Sequence, residues 1–264
     1  MSRLTRTRRR QVSLGVQYAL FALVVLALLL LTDWGAISEN LVNLEIARQL
    51  FPEVLTTALK NTAVYTLLGF SCGLVLGLVI ALMRLSRVAP YRWFANTFIE
   101  IFRGLPALLV LFIIAYGVPF ALGAQFPGGV VGSITVGLGL VGGAYMAETI
   151  RAGIQAVPKG QMEAARSLGM SHTRAMISIV IPQAFRIVVP PLTNELILLT
   201  KDSSLIYVLG LQGSQKDLTK FGRDALDQFA NPTPLVVAGL CYLIITLPLS
   251  ALVRRLEARN AKAR

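Results

Sequence analysis

Charge is scarce in this sequence, and acidic charge is the scarcer kind. Only 14% of the 264 residues are charged, against about 25% in an ordinary soluble domain. That is too little for a coiled coil. A basic nucleic-acid binder is excluded as well, because its charge would sit on a polar surface. Intrinsic disorder is excluded by the 55% of residues that are hydrophobic. Two distant cysteines, Cys72 and Cys241, and a single histidine, His172, make neither a zinc site nor a disulfide scaffold. Both cysteines lie in apolar runs and read as small helix residues. His172 reads as a helix-end residue rather than a pH switch. No G-x-x-x-x-G-K-[ST] phosphate loop is present, so the chain has no means of its own to hydrolyse ATP. No loop combines an acid/base pair, a metal cluster or a nucleophile, so an enzyme is the least favoured class and no cofactor or metal is expected.

What the sequence does have is long apolar runs, with a mean hydropathy of +0.67. An integral membrane protein is the class that remains. A charge at the bilayer centre costs about 2.5–3.5 kcal/mol, so charge-free runs mark the spans. They are residues 12–32, 61–83, 104–147 and 228–253. The third is too long for one helix across a core about 30 Å thick, and the GAQFPGG segment (Gly123–Gly129) divides it in two. A less regular stretch, 175–209, contains Arg186, Glu195, Lys201 and Asp202. The expectation is an all-α membrane protein of six transmembrane helices, five clean and one polar.

The excess positive charge sets the orientation. Segments 1–15, 84–104, 151–186 and 254–264 hold 19 of the 25 basic residues. Segments 33–60 and 211–233 hold five basic residues and seven acids. Both termini are therefore expected in the cytoplasm, with the RTRRR start flanking an uncleaved anchor rather than a signal peptide. Gly69, Gly73 and Gly77 repeat every four residues on one helix face. Gly128/Gly132 and Gly139/Gly143 do likewise. Such stripes allow close helix packing in lipid, within one bundle or between subunits. Residues 46–58 have a weak amphipathic pattern suited to the outer surface.

The longest inner loop carries more pattern than a chain reversal requires. Met162, Ala165, Leu168 and Gly169 have helical spacing, punctuated by Pro158 and Gly160, with Glu163 beside two alanines. A short helix of this kind outside the membrane needs a docking partner, or lies on the headgroups. Glu163-Ala164-Ala165, then Gly169, then Ile181-Pro182 resembles the EAA loop of binding-protein-dependent ABC importer permeases. IFRGLP (101–106), AYMAETIRAGI (144–154), KGQMEAARSLGM (159–170), IPQAFR (181–186) and NELILLTKDSSL (194–205) resemble the polar amino-acid uptake branch of that family, which includes histidine, glutamine and glutamate permeases. The likeness runs from about Val54 to Glu257.

The resemblance implies a five-helix type I permease core plus one extra amino-terminal helix. It divides the chain into residues 1–52 (basic segment, extra helix and outer loop), a permease domain at 53–257 with its coupling loop at about 155–175, and a tail at 258–264. It implies an ATP-driven importer of a polar amino acid in the bacterial inner membrane, working by alternating access. The partners would be two cytoplasmic ATPase subunits that bind the ATP, a second permease subunit (identical or related), an extracytoplasmic binding protein and membrane lipid. Nucleic acid is not expected. Gly160, Glu163, Ala164, Ala165, Leu168 and Gly169 would form the ATPase-coupling element. Neighbouring importer branches for opines, betaines or ectoine remain open, as does, less favoured, a secondary transporter, although no internal repeat supports the last.

Charges inside the spans are candidates for the substrate path. They are Arg103, Glu148, Glu195, Lys201 and Asp202, with Asn194 beside them. A carboxylate ligand calls for an Arg, a Lys or helix amides, and an ammonium calls for Glu, Asn or carbonyls. Pro190-Pro191 would free carbonyls beside Asn194 and Glu195. Glu148 and Arg151 could instead be an i,i+3 pair at the inner interface.

Overall fold

The computed structural model describes residues 6–262, and everything described is helix, turn or loop without a strand. The first five residues of the basic amino end and the last two of the tail lie outside the described residues. Helix is the expected outcome of these apolar runs, because a lipid-exposed backbone must satisfy its own hydrogen bonds.

The chain separates into two compact units, up to Leu44 and from Glu45 onward. The first holds α1 (Arg6–Leu31) and α2 (Trp34–Asn40). Asp33 caps α2, its side chain accepting from the Ala36 amide at 2.9 Å. Within α1, Ser13–Leu31 is apolar and long enough to span, and none of it is buried.

The boundary falls at the first residue of α3 (Leu44–Gln49). Next come α4 (Val54–Leu85), α5 (Ala89–Gly104) and α6 (Ala107–Leu122). They are followed by α7 (Val130–Gln155), α8 (Lys159–Ser167) and α9 (His172–Leu209). The chain closes with α10 (Leu218–Phe229) and α11 (Thr233–Lys262). Five helices of the described chain are long and apolar enough to cross a membrane, and the bent pair α5–α6 supplies a sixth.

That pair departs from the expected pattern. Residues 84–104 read as an inner loop because they carry four basic residues and one acid. They form a helix because Ala95 and Ile99, one turn apart, bury against Ile80 and Ala81 of α4 and Ala147 and Ile150 of α7. Tyr91, Trp93 and Phe94 remain exposed on α5, as aromatic residues at a membrane interface do. At Leu105-Pro106 the chain turns by 106° into α6, where Pro106 cannot continue a helix. The break after Leu122 falls where the glycines and proline of 123–129 put it, with Gly123 in the left-handed region at φ +64°.

The core is built on the pairing of α4 with α7. Gly69, Gly73 and Gly77 are buried in it. A Cβ placed on Gly73 would sit 3.1 Å from the Gly143 nitrogen, and one on Gly77 would sit 2.9 Å from the Gly143 carbonyl oxygen. The glycine stripe of α4 thus meets the Gly139/Gly143 stripe of α7 within one bundle, at a separation no larger side chain permits. At the other end of α4, the amphipathic α10 buries Leu218, Phe221 and Ala225 against Val54 and Ala58 of α4 and Val237, Ala238 and Cys241 of α11.

The segment leading into α10 is stitched to α4. Asn61 donates to the carbonyls of Ser214 (2.7 Å) and Lys216 (2.9 Å). The Tyr65 hydroxyl donates to Gln215 at 2.9 Å. The sequence placed Asp217 in an outer loop. In the fold it is fully buried. It caps α10, accepting from the amides of Thr219 (2.9 Å) and Lys220 (3.2 Å). Burial pushes its carboxyl up to about 6, against the opposing pull of those amides.

Candidate functional sites: the coupling helix and the intramembrane charges

α8 is a short, separately terminated helix. Pro158 precedes its first residue, a position where the missing N–H costs nothing. At its far end the Met170 amide donates to Ala165 O at 3.1 Å and the Gly169 amide to Arg166 O at 3.0 Å. This double closure requires a left-handed residue, and Gly169 supplies it at φ +84°. Ser171 then caps the next turn, accepting from the Arg174 amide at 3.3 Å.

The two sides of α8 differ. Met162 packs on the cluster of Val157, Val180 and Ala184, and Ala165 is buried. Gln183 of α9 donates to Gln161 at 3.3 Å. Facing away are Gly160, Glu163, Ala164 and Leu168, the last 85% exposed. The expected single stripe of Met162, Ala165, Leu168 and Gly169 is therefore split. Ala165 belongs to the base on which the helix sits. Leu168 ends the helix with φ −80° and ψ 10° and so turns outward. A Cβ on Gly160 would touch nothing within 4 Å, so nothing in this chain requires glycine there.

The intramembrane charges fall into three places. Glu148 is held in ion pairs by Arg84 of α4 and Arg151 of its own helix, and Arg151 also bonds Gln155. Both carboxylate oxygens of Glu148 are thus taken by arginines of this chain. Arg84 was read only as a topology-setting charge. Its role is invisible in sequence because 64 residues separate it from Glu148.

Glu195 and Asp202, seven residues apart, lie on one face of α9. Both line a cavity of about 380 Å³, with Leu198, Tyr145 and Gly142, and with Leu105 and Pro106 from the α5–α6 bend. The Arg103 guanidinium lies 5.2 Å from the centre of the Tyr145 ring, within cation–π range. Tyr145, an uncharged residue inside an apolar run, gave no signal in sequence. Asn194 and Lys201 are exposed on α9 and do not line the cavity, and Lys201 makes no ion pair among the described residues. The cavity thus brings together Glu195 and Asp202, with Arg103 reaching it only through the Tyr145 ring, and Glu148, Asn194 and Lys201 do not line it.

Residues 73–262 match the family model described as "Binding-protein-dependent transport system inner membrane component". The chain is 37% identical over 211 residues to the probable glutamine ABC transporter permease protein GlnM of Bacillus subtilis, covering 77% of this chain and 91% of that one. It is 35% identical over 240 residues to the glutamate/aspartate import permease protein GltK of Escherichia coli, covering 87% and 98%. Among solved structures it superposes on a chain from the crystal structure of an amino acid ABC transporter with histidines. That match has a TM-score of 0.70, 34% identity, and coverage of 81% of this chain and 96% of that one. The match to the family model covers well over half the chain, and the relatives match over nearly their full length. The chain is therefore a multi-pass member of the family of binding-protein-dependent transport system inner membrane components.

Proposed function

We propose that this chain is the permease subunit of an ATP-driven ABC importer that carries a polar amino acid inward by alternating access. The observation that carries the reading is α8. It is a helix begun at Pro158 and closed at Gly169, seated on Met162 and Ala165, and presenting Gly160, Glu163, Ala164 and Leu168 to a partner. A partner that grips this face moves α9, because Met162 and Gln161 are packed or bonded to it. ATP is bound and hydrolysed by two cytoplasmic subunits docked on the coupling helices of two permease subunits, and an extracytoplasmic protein delivers the substrate. The biased loop charges support both termini in the cytoplasm. The bounds 1–52, 53–257 and 258–264 remain the working division into extra helix, permease domain and tail.

The cavity supports an amino-acid cargo. Glu195 and Asp202 offer carboxylates to an ammonium, and Arg103 at the Tyr145 ring offers a cation to a carboxylate. The amino-acid permeases named among the relatives support the same substrate class. Co-purification with the ATPase, followed by uptake of radiolabelled amino acids into reconstituted vesicles, tests the proposal. An isolated chain that transports without an ATPase contradicts it.

A further inference from the structure

Arg186 and Arg259 face a groove that α9 and α11 leave open at one end of the bundle. The groove measures about 400 Å³, and its polar wall is Arg186, Arg259 and Asn260. Its apolar wall is Phe185, Val189 and Leu256. Asn260 donates to the Arg186 carbonyl oxygen at 2.7 Å, which fastens the end of α11 to α9 beside the opening. Neither arginine forms an ion pair among the described residues. Two guanidinium groups thus stand without a counter-charge over an apolar bed. The place is the α8 end of the bundle, since Gln183, one turn before Arg186, donates to Gln161 of α8.

A guanidinium presents forked donors that match phosphate oxygens. Phe185, Val189 and Leu256 suit the first methylenes of an acyl chain. Basic pockets between transmembrane helices on the cytoplasmic side attract anionic headgroups. A zwitterionic headgroup brings an ammonium that offsets the attraction. We propose that this groove holds one anionic phospholipid of the inner leaflet, with its phosphate between Arg186 and Arg259. The assignment to the inner leaflet rests on the orientation proposed above. The bound lipid ties α9 to α11 at the base of the coupling helix, so transport depends on anionic lipid.

Native mass spectrometry of the full-length protein tests this, with phosphatidylglycerol or phosphatidylcholine added and inorganic phosphate as a competitor. The wild type should retain one phosphatidylglycerol per chain with a preference of about tenfold over phosphatidylcholine. Arg186→Gln with Arg259→Gln should lose that preference, while Arg186→Lys with Arg259→Lys, which keeps the charge, should retain it. Excess inorganic phosphate should displace no lipid. Equal retention of the two lipids overturns the proposal, as does an undiminished preference in the glutamine pair. Displacement by inorganic phosphate would make this a free-anion site and also overturns it. Dissociation of a permease or ATPase partner by the glutamine pair would make the groove a protein interface, with the same consequence. The orientation is checked separately by labelling a cysteine placed at Lys159 in sealed right-side-out vesicles. Labelling from outside, with lipid preference intact, would remove the inner-leaflet assignment and leave the lipid site standing.

Discussion

Arg84, at the carboxyl end of α4, and Glu148, two-thirds of the way along α7, are joined as an ion pair, and Arg151 takes the other carboxylate oxygen. The pair closes the same α4–α7 seam that the glycines open for close approach. All three side chains are about a quarter exposed, so the interaction is stronger than a surface ion pair and weaker than a dry one. Glu148→Gln leaves two guanidinium groups facing each other and should cost about 2 kcal/mol. Arg84→Ala should cost less, because Arg151 still neutralises the carboxylate. Thermal unfolding of the purified variants in detergent checks this order, and equal midpoints for wild type and Glu148→Gln would count against a structural role.

Disruption of the outward face of α8 should separate function from folding. Glu163→Ala and Leu168→Ala remove exposed side chains and should leave membrane insertion and thermal stability unchanged while uptake falls more than about tenfold. Gly169→Ala forces a left-handed conformation on a residue with a Cβ and should cost a further 1–2 kcal/mol, roughly, in local stability. Ala165→Leu acts differently, overpacking the buried side and lowering stability itself. Quantitative pull-down of the ATPase alongside uptake measures both effects.

The cavity divides the intramembrane charges into those that should and should not govern transport. Glu195→Gln, Asp202→Asn and Tyr145→Ala should change the concentration dependence or the substrate range of uptake. Lys201→Ala, at an exposed position of α9, should change neither by more than about twofold. Glu195→Gln transporting with unchanged affinity and range would remove the cavity from the substrate path.

Asp217 gives the α10 region a pH dependence. Its carboxyl titrates at about 6 in the fold, above the ordinary 3.8, because it is buried. The folded state therefore holds the proton more tightly than the unfolded one across this window. The contribution of Asp217 to stability is complete below pH 3.8 and is lost as the pH rises through about 6, a loss of about 3 kcal/mol. Asp217→Asn keeps a capping oxygen and removes the charge. Its thermal midpoint should lack this component of the pH dependence and exceed that of the wild type at neutral pH. A wild-type component that rises with pH in the same window would contradict the assignment.

Much of this architecture is legible in the sequence, for definite reasons. A lipid-spanning helix cannot carry central charges, so runs such as 61–83 mark α4. The glycines and proline of 123–129 announce a break by their backbone restrictions. Gly69, Gly73 and Gly77 declare a packing stripe, although their partner on α7 is fixed only in three dimensions. The helix α8 is legible because its spacing exceeds what a chain reversal needs, and its likeness to an EAA loop rests on the family resemblance of Glu163-Ala164-Ala165 and Gly169. The bend at Leu105-Pro106 was hidden because α5 carries charges and its buried stripe is only Ala95 and Ile99. The Arg84–Glu148 pair, the Tyr145 wall of the cavity and the burial of Asp217 each depend on helices meeting across distant sequence, which no local pattern reports.

The central claim is that a partner ATPase drives amino-acid movement through this chain by way of α8. Uptake of radiolabelled glutamine, glutamate or another polar amino acid into vesicles holding the permease, its ATPase and its binding protein tests it most directly. Accumulation that requires ATP and is abolished by Glu163→Ala, in a complex that still assembles in the membrane, is the expected result. Accumulation that persists without ATP, or an unaltered rate in the Glu163→Ala complex, would contradict the account.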